Sequence, residues 1–236
     1  MNTITAKLIG WHELAPEVRH FDFEVPGTDD FAFTPGQFVS VVEQEDGKEI
    51  TRAYSIASPR GGNRFGLCLN RVHDGLVSNY LFGLKPGDEI RIGEPLGYFT
   101  VRHPGHRLVF VATGTGVAPF RSILLDHLPK IHPHVTLLFG ARHENVLLYR
   151  EEFEQLAQQY PTFRFLPSIT RPTGEWRGRT GRVQAHLDEA LAMHESEDAS
   201  NVDVYICGMP EMVDEVRKLL KARGFDRKQI IYEKYE

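Results

Sequence analysis

The feature that most constrains this chain is a change of rhythm near residue 102. Before it, stretches near 3–11, 17–25, 37–43, 49–58, 64–71 and 88–93 alternate or run apolar over strand lengths. "VPGTDD", "EDGK", "PRGGN" and "KPGDE" separate them. Short strands punctuated by Gly, Pro and Asp predict an antiparallel barrel or sandwich. The one helix-like stretch there is "VSNYLFGL", 77–84. After "RHPGHR", strand and helix take turns. "LVFVA" leads to a helix near 117–128, "VTLLFGA" to one near 149–159, "FRFLPSI" to one near 182–193 and "DVYICG" to one near 210–222. "QIIYEKY" is the last strand. Apolar runs alternating with amphipathic helices are the pattern of a parallel sheet covered on both faces. The expectation is a β domain over 1–102 and a five-stranded parallel α/β domain over 103–236.

Composition excludes several classes. A net charge of −5 argues against nucleic acid as a bulk partner. No apolar run approaches the ~20 residues that span a bilayer, so no membrane is expected. The first residues, "MNTITAKLIGWHELAP", lack a basic region followed by an apolar core, so no secretory leader is expected. The two cysteines, Cys68 and Cys207, are too far apart in sequence to suggest a disulfide framework, and they suit a soluble cytoplasmic protein. The 11 histidines show no metal-ligand spacing, so no metal is expected. No serine sits in a G-x-S-x-G elbow. "RHENVLLYREE" carries charges at helical spacing and reads as a solvated face. Trp11 and Trp176 read as packing or loop anchors.

Within the second half, "LVFVATGTGVAPFRSIL" is the most informative stretch. A strand runs straight into Gly114 and Gly116 and then a helix. Such a turn lets backbone approach a pyrophosphate, and unpaired N–H groups with the helix dipole favour the anion. Pro119 replaces the last glycine of the usual G-x-G-x-x-G, and proline suits the first turn of a helix. Strand 135–139 lacks the acid at its tip that commonly holds a ribose diol. Cys207 ends a strand just before Gly208, where α/β folds place ligands; a buried structural thiol is the other reading.

A second stretch, "TRAYSIAS" (51–58), is odd for a half-buried strand. Alternation places Arg52, Tyr54, Ile56 and Ser58 on one face, a cation beside an aromatic and an aliphatic. A snorkelling arginine beside a half-buried tyrosine is one explanation.

"RAYSIAS", "GLVSNYL", "GEPLGYF", "ATGTGVAPFRS", "YREEFEQL", "CGMPEMV" and "YEKY" occur in that order over nearly the whole chain. This series resembles the ferredoxin–NADP reductase superfamily. The resemblance implies an antiparallel Greek-key flavin-binding barrel followed by an NAD(P)-binding α/β domain. It implies that Arg52 neutralises flavin phosphates, Tyr54 lays its ring on the flavin, and Ser55 hydrogen-bonds near N5, with Ala53 between them. Gly75, Val77 and Ser78 would form the matching phosphate site; a simple Ser-initiated helix uses the same residues. Gly114, Thr115, Gly116, Pro119, Cys207, Gly208 and Met209 would line the nucleotide. Tyr235 maps to the aromatic covering the flavin, and Glu233 to a proton-relaying carboxylate. The chain runs on to Glu236, which leaves an edge-strand role open for Tyr235. FAD is the implied flavin, with FMN open.

The implied reaction is hydride transfer between NAD(P)H and flavin N5, with electrons exchanged with a separate carrier. Relatives that carry their own iron–sulfur centre need four closely spaced cysteines, and two isolated ones cannot supply it. Ferredoxin, flavodoxin or an oxygenase iron–sulfur component are the implied partners. Reduction of free flavin or a cytochrome, and a non-catalytic flavoprotein subunit, are the alternatives. For the nucleotide, "SITRP" offers Thr170 and Arg171, and "GRTGRV" offers Arg182 with Arg179 as substitute, for a 2′-phosphate. NADPH is therefore expected over NADH. Solvated loop arginines, and the Trp in "PTGEW" that NADH-using reductases share, are the opposing reading.

Overall fold

The protein, a computed structural model, is described over residues 3–130, 134–192 and 199–235. Contacts group these into two compact units. One is residues up to Val101 with Ala118–Asp126; the other is Arg102–Val117 with the residues from His127 on.

The first unit holds β1 (Thr3–Ala15), β2 (Val18–Glu24), β3 (Phe38–Glu45), β4 (Lys48–Ser55), β5 (Arg64–Asn70) and β6 (Glu89–Gly93). They form one antiparallel sheet in the order β4-β3-β6-β1-β2-β5. Insertion of β6 between β3 and β1 makes this a Greek key. An Ile56↔Leu67 bridge joins the end of β4 to β5 and closes the barrel. Asp46 and Gly47, at φ 50° and 75°, turn the β3–β4 hairpin, which explains the Asp-Gly pair. Alternate residues such as Leu8, Phe21, Phe23, Val39, Val41, Ile56, Phe65 and Leu67 fill the interior. Helix α1 (Leu76–Gly83) starts one residue earlier than the sequence suggests, at Leu76.

The second sheet, in the order β10-β9-β8-β7-β11-β12, is parallel throughout. It comprises β7 (Arg107–Thr113), β8 (Val135–Ala141), β9 (Phe163–Ile169), β10 (Arg179–Thr180), β11 (Val202–Gly208) and β12 (Ile230–Lys234). Six strands, not five, are therefore present among the described residues. The extra one, Arg179–Thr180 beside Ser168–Ile169, is two residues long and too short to show any periodicity. Helices α2 (Ala118–His127), α3 (Arg150–Gln159), α4 (Leu187–Leu191) and α5 (Pro210–Ala222) accompany the strands. The helix expected near 182–193 is a 3-10 turn, Val183–His186, followed by α4; residue 193 lies outside the described residues. Met212, Val213, Val216 and Leu220 place the apolar stripe of α5 in the core of this unit. No described helix is long and apolar enough to cross a membrane.

Candidate active site

The flavin candidates lie on β4 and at the start of α1. Thr51, Arg52 and Ala53 are exposed in succession, Tyr54 is half-buried and Ser55 is buried. Ile50 and Tyr54 pack on the barrel core, and Arg52 lies on the same strand face between them, exposed. Its guanidinium donates to the Thr51 carbonyl at 2.9 Å and pairs with no carboxylate among the described residues. Burial pushes the Tyr54 phenol up to about 12, with the positive charge of Arg52 opposing. The tyrosine is thus a neutral, apolar ring beside an uncommitted cation.

Gly75 caps α1 without a side-chain hydrogen bond, so the N–H groups of the first turn are left for an outside acceptor. The turn before it is tightly built. Ser78 Oγ accepts from Val72 N–H at 3.1 Å and donates to the Gly75 carbonyl at 3.2 Å. The Ser78 hydroxyl therefore closes the loop rather than facing outward, and Ser78 is 4% exposed. A Cβ on Gly75 would lie 2.7 Å from that Oγ and 2.8 Å from the Val72 Cβ. Asn79, which carries no assigned role inside "GLVSNYL" from sequence, donates to the carbonyls of Val72, His73 and Gly75 at 2.9–3.0 Å. It pins the turn from inside the helix.

In the second unit, chemistry gathers at the C-terminal ends of the strands. The turn Gly114–Val117 is one stretch of 3-10 helix leading into α2, whose first turn contains Pro119. Gly114 has φ +55° and open space where a Cβ would stand, whereas a Cβ on Gly116 would lie 2.5 Å from the Cys207 carbonyl oxygen. One glycine leaves room above the turn, and the other lets it press against the end of β11. Gly208, at φ +150°, would place a Cβ 2.4 Å from Thr113 Oγ1. Thr115 is half-buried and Met209 is 57% exposed.

Cys207 pairs in register with Glu233, and Tyr235 N–H donates to the Gly208 carbonyl at 2.9 Å. Burial pushes the Cys207 thiol well up, the Glu233 charge adds to this, and a side-chain hydrogen bond from Tyr235 opposes it. The group stays a neutral thiol and is no nucleophile. Burial also pushes the Glu233 carboxyl up to about 7. Cys207, Glu233 and Tyr235 are thus brought together.

Thr170 and Arg171 follow β9, and Arg182 follows β10. Arg171 N–H donates to the Arg142 carbonyl at 2.8 Å, so the residue after β8 joins them. Arg142, Arg171 and Arg182 are exposed, and none pairs with a carboxylate among the described residues. Arg179 is different: its Nε donates to Glu189 at 2.6 Å and its Nη2 reaches the other oxygen. Glu189 thus holds the proposed substitute. The charge pattern of the sequence places Arg142 on a solvated face; a signal exists in its position directly after a parallel strand. Glu144, two residues beyond Arg142, accepts from Thr173 N–H at 2.7 Å and Thr173 Oγ1 at 2.9 Å. A bond from its own backbone N–H, and then those two from Thr173, hold its carboxyl below the usual range, and it fastens the 170–174 loop. Trp176 anchors the same loop by donating to the Arg179 carbonyl at 2.9 Å.

In the first unit an arginine paired with no carboxylate and a helix start with open N–H groups fit a dinucleotide flavin; in the second, a glycine turn with room above it fits a pyridine nucleotide. Family models agree: "Oxidoreductase FAD-binding domain" matches residues 5–101 and "Oxidoreductase NAD-binding domain" matches 110–218. The protein is an FAD- and NAD(P)-binding oxidoreductase. The chain is 41% identical to "Ferredoxin--NADP reductase B" of Sorangium cellulosum, over 98% of this chain and 97% of that one. It is 32% identical, over 93% of its length, to a subunit of the Na(+)-translocating NADH-quinone reductase of Klebsiella pneumoniae, but spans only 57% of that protein. A Neisseria gonorrhoeae ferredoxin NADP+ reductase solved with bound FAD and NADP superimposes with TM-score 0.86 at 25% identity, covering 99% of both chains. The chain belongs to the ferredoxin–NADP reductase superfamily.

Proposed function

We propose that this enzyme exchanges electrons between NADPH and a separate ferredoxin or flavodoxin by way of FAD, with residues 1–102 as the flavin-binding domain and 103–236 as the nucleotide-binding domain. The observation that carries the NADPH half is the set of three uncommitted guanidiniums, Arg142, Arg171 and Arg182, at the ends of β8, β9 and β10. Ligands of open α/β sheets bind at such ends. A guanidinium not already paired is available to hold phosphate oxygens in its planar fork. Thr170 adds a hydroxyl at the same place. The carrier half is supported by similarity along 97% of a ferredoxin–NADP reductase, against 57% of the quinone-reductase subunit. An oxygenase iron–sulfur component is the next partner in line. Neither cysteine is in a disulfide and both are buried, which supports a reducing, cytoplasmic setting.

Bound FAD supplies a ring that takes the nicotinamide hydride as an electron pair at N5 and passes electrons on singly. The chain's own residues do the rest. Arg52, with Ala53 leaving its strand open, and the first-turn N–H groups of Val77 and Ser78, which follow the Gly75 cap, neutralise the flavin phosphates. Tyr54 gives the ring a neutral flat wall, and Ser55 offers a hydroxyl at the end of the strand. Gly114, Thr115, Gly116 and Pro119 shape the nucleotide turn, while Cys207, Gly208 and Met209 border it on β11. Glu233 holds or releases a proton near neutral pH, the range in which general acid–base groups work best. Tyr235 supplies the aromatic lid.

Anaerobic titration of the purified yellow protein tests this. NADPH should bleach the flavin at lower concentration than NADH, and ferredoxin or flavodoxin should then reoxidise it. A higher kcat/KM for NADH would remove the nucleotide assignment. Reoxidation by neither carrier would remove the partner.

A further inference from the structure

A second cluster stands at the opposite end of the parallel sheet. Asp203, the second residue of β11, is 1% exposed, and it pairs in register with Leu108 near the start of β7. Four residues separate it from Cys207, or about 13 Å along a strand. Two histidines from the 102–106 loop meet it. His103 Nδ1 lies 2.8 Å from one carboxylate oxygen. His106 Nδ1 lies 3.3 Å from the other. That second approach makes no hydrogen bond, so His106 Nδ1 and Asp203 Oδ1 are both buried without one among the described residues. A buried carboxylate oxygen left this way is costly unless something else occupies its lone pair.

The loop is built to hold this arrangement. Arg102 N–H donates to the Tyr205 hydroxyl at 2.9 Å. His106 N–H donates to the His103 carbonyl at 3.0 Å, closing a turn. The turn stacks the two imidazoles with centroids 4.4 Å apart. One ring nitrogen of each histidine and one carboxylate oxygen all lie within 4.8 Å of one another. Metal–ligand bonds of 2.0–2.2 Å in a tetrahedron place donor atoms about 3.3 Å apart. The two imidazole–carboxylate separations, 2.8 and 3.3 Å, are near that value. The His103 side chain is 49% exposed, so one side of the cluster stays open to water.

We propose that His103, His106 and Asp203 bind one divalent ion of the zinc class. Two imidazoles and one carboxylate suit zinc among the common divalent ions, and three protein ligands leave a fourth position for water. The ion satisfies the stranded oxygen and nitrogen together, where their own 3.3 Å approach makes no hydrogen bond. It ties the 102–106 loop to the start of β11, so its role is structural rather than redox. The pair His20–Asp22, also at 3.3 Å, is the useful contrast: its carboxylate is 53% exposed and water can satisfy it.

The test uses the FAD-loaded protein, stripped with a chelator and dialysed against micromolar zinc chloride, with bound zinc counted by elemental analysis. Wild type should retain one equivalent. The double variant His103→Gln/His106→Gln, which keeps the loop's backbone hydrogen bonds, should bind roughly tenfold or more weakly with its flavin content intact. Zinc should raise the melting temperature of wild type and leave that of the double variant unchanged. Equal retention by both proteins, or none by wild type, would overturn the proposal. A melting temperature that zinc shifts equally in both would do the same.

Discussion

The barrel and the parallel sheet expose their chemistry in different places. On β4 of the barrel it sits along the strand itself, because an antiparallel strand can leave residues open to solvent. Thr51, Arg52 and Ala53 are exposed within one strand. In the second unit every residue of β11 is buried, and so are all but the last of β7 and β8. Nothing along those strands can touch a ligand, so function is pushed to their tips: Gly114–Gly116, Cys207–Gly208, Arg142 and Arg171. The arginines make the same contrast. Arg107, at the start of β7, spends its guanidinium on the carbonyls of Ala190, Leu191 and Ala192 at 2.9–3.2 Å, whereas the exposed Arg52 gives one bond, to the carbonyl of its neighbour Thr51.

The contrast breaks most severely at Gly116. Gly116→Val would drive a side chain into the Cys207 backbone and displace the turn by an ångström or so. Flavin reduction by NADPH should then lose about a hundredfold or more in kcat/KM, with FAD content unchanged because the β4 and α1 groups are untouched. Stopped-flow reduction within threefold of wild type would mean that the turn is not the nucleotide site.

Arg52→Ala probes the strand-face side. Losing a charge-assisted contact of about 1.5–3 kcal/mol should weaken FAD binding ten- to a hundredfold. Full flavin occupancy after dialysis would show that Arg52 is only a solvated strand residue.

At the strand tips, Arg142→Ala should lower kcat/KM for NADPH by about tenfold or more and leave NADH nearly unchanged. Arg179→Ala should not alter the ratio of the two nucleotides, since Glu189 already holds that guanidinium. A common loss with both nucleotides in Arg142→Ala would count against a 2′-phosphate contact.

The smallest effect concerns Glu233. Its carboxyl is raised from 4.5 to about 7. An acid whose native pKa lies above its unfolded value favours folding only while protonated. Its contribution is whole below pH 4.5 and gone above about 7. Partial exposure reduces the effect to about 1 kcal/mol. Urea melts at pH 5 and pH 8 should show wild type losing that much more stability over the interval than Glu233→Gln. Parallel losses in the two proteins would place the Glu233 pKa near its ordinary value.

Much of the architecture is legible in the amino-acid order. The barrel strands show period-two alternation and Asp-Gly or Pro-Gly turns, and the second half shows apolar runs of strand length ending at glycine. Both are local signals, so the expected strand positions lie close to those observed. Strand β10 is invisible because two residues carry no period. Within the site, Arg52, Tyr54 and the Gly114–Gly116 turn are legible because their motifs are contiguous. Whether an arginine is free or held is not, since Arg179 and Glu189 face each other only after α4 folds back on β10.

What the sequence determined by itself was the order of the two folds and the residue types at the cofactor turns, because both depend on neighbours a few positions apart. Tertiary structure decided which of those groups remain available. It turned the Ser78 hydroxyl inward to close its own loop and raised the Glu233 carboxyl toward neutrality by burial. It also placed His103 and His106 against Asp203 from a hundred positions away. Hydrogen-bond commitment, desolvation and long-range juxtaposition depend on distances in space, and those are set only when the sheet is assembled.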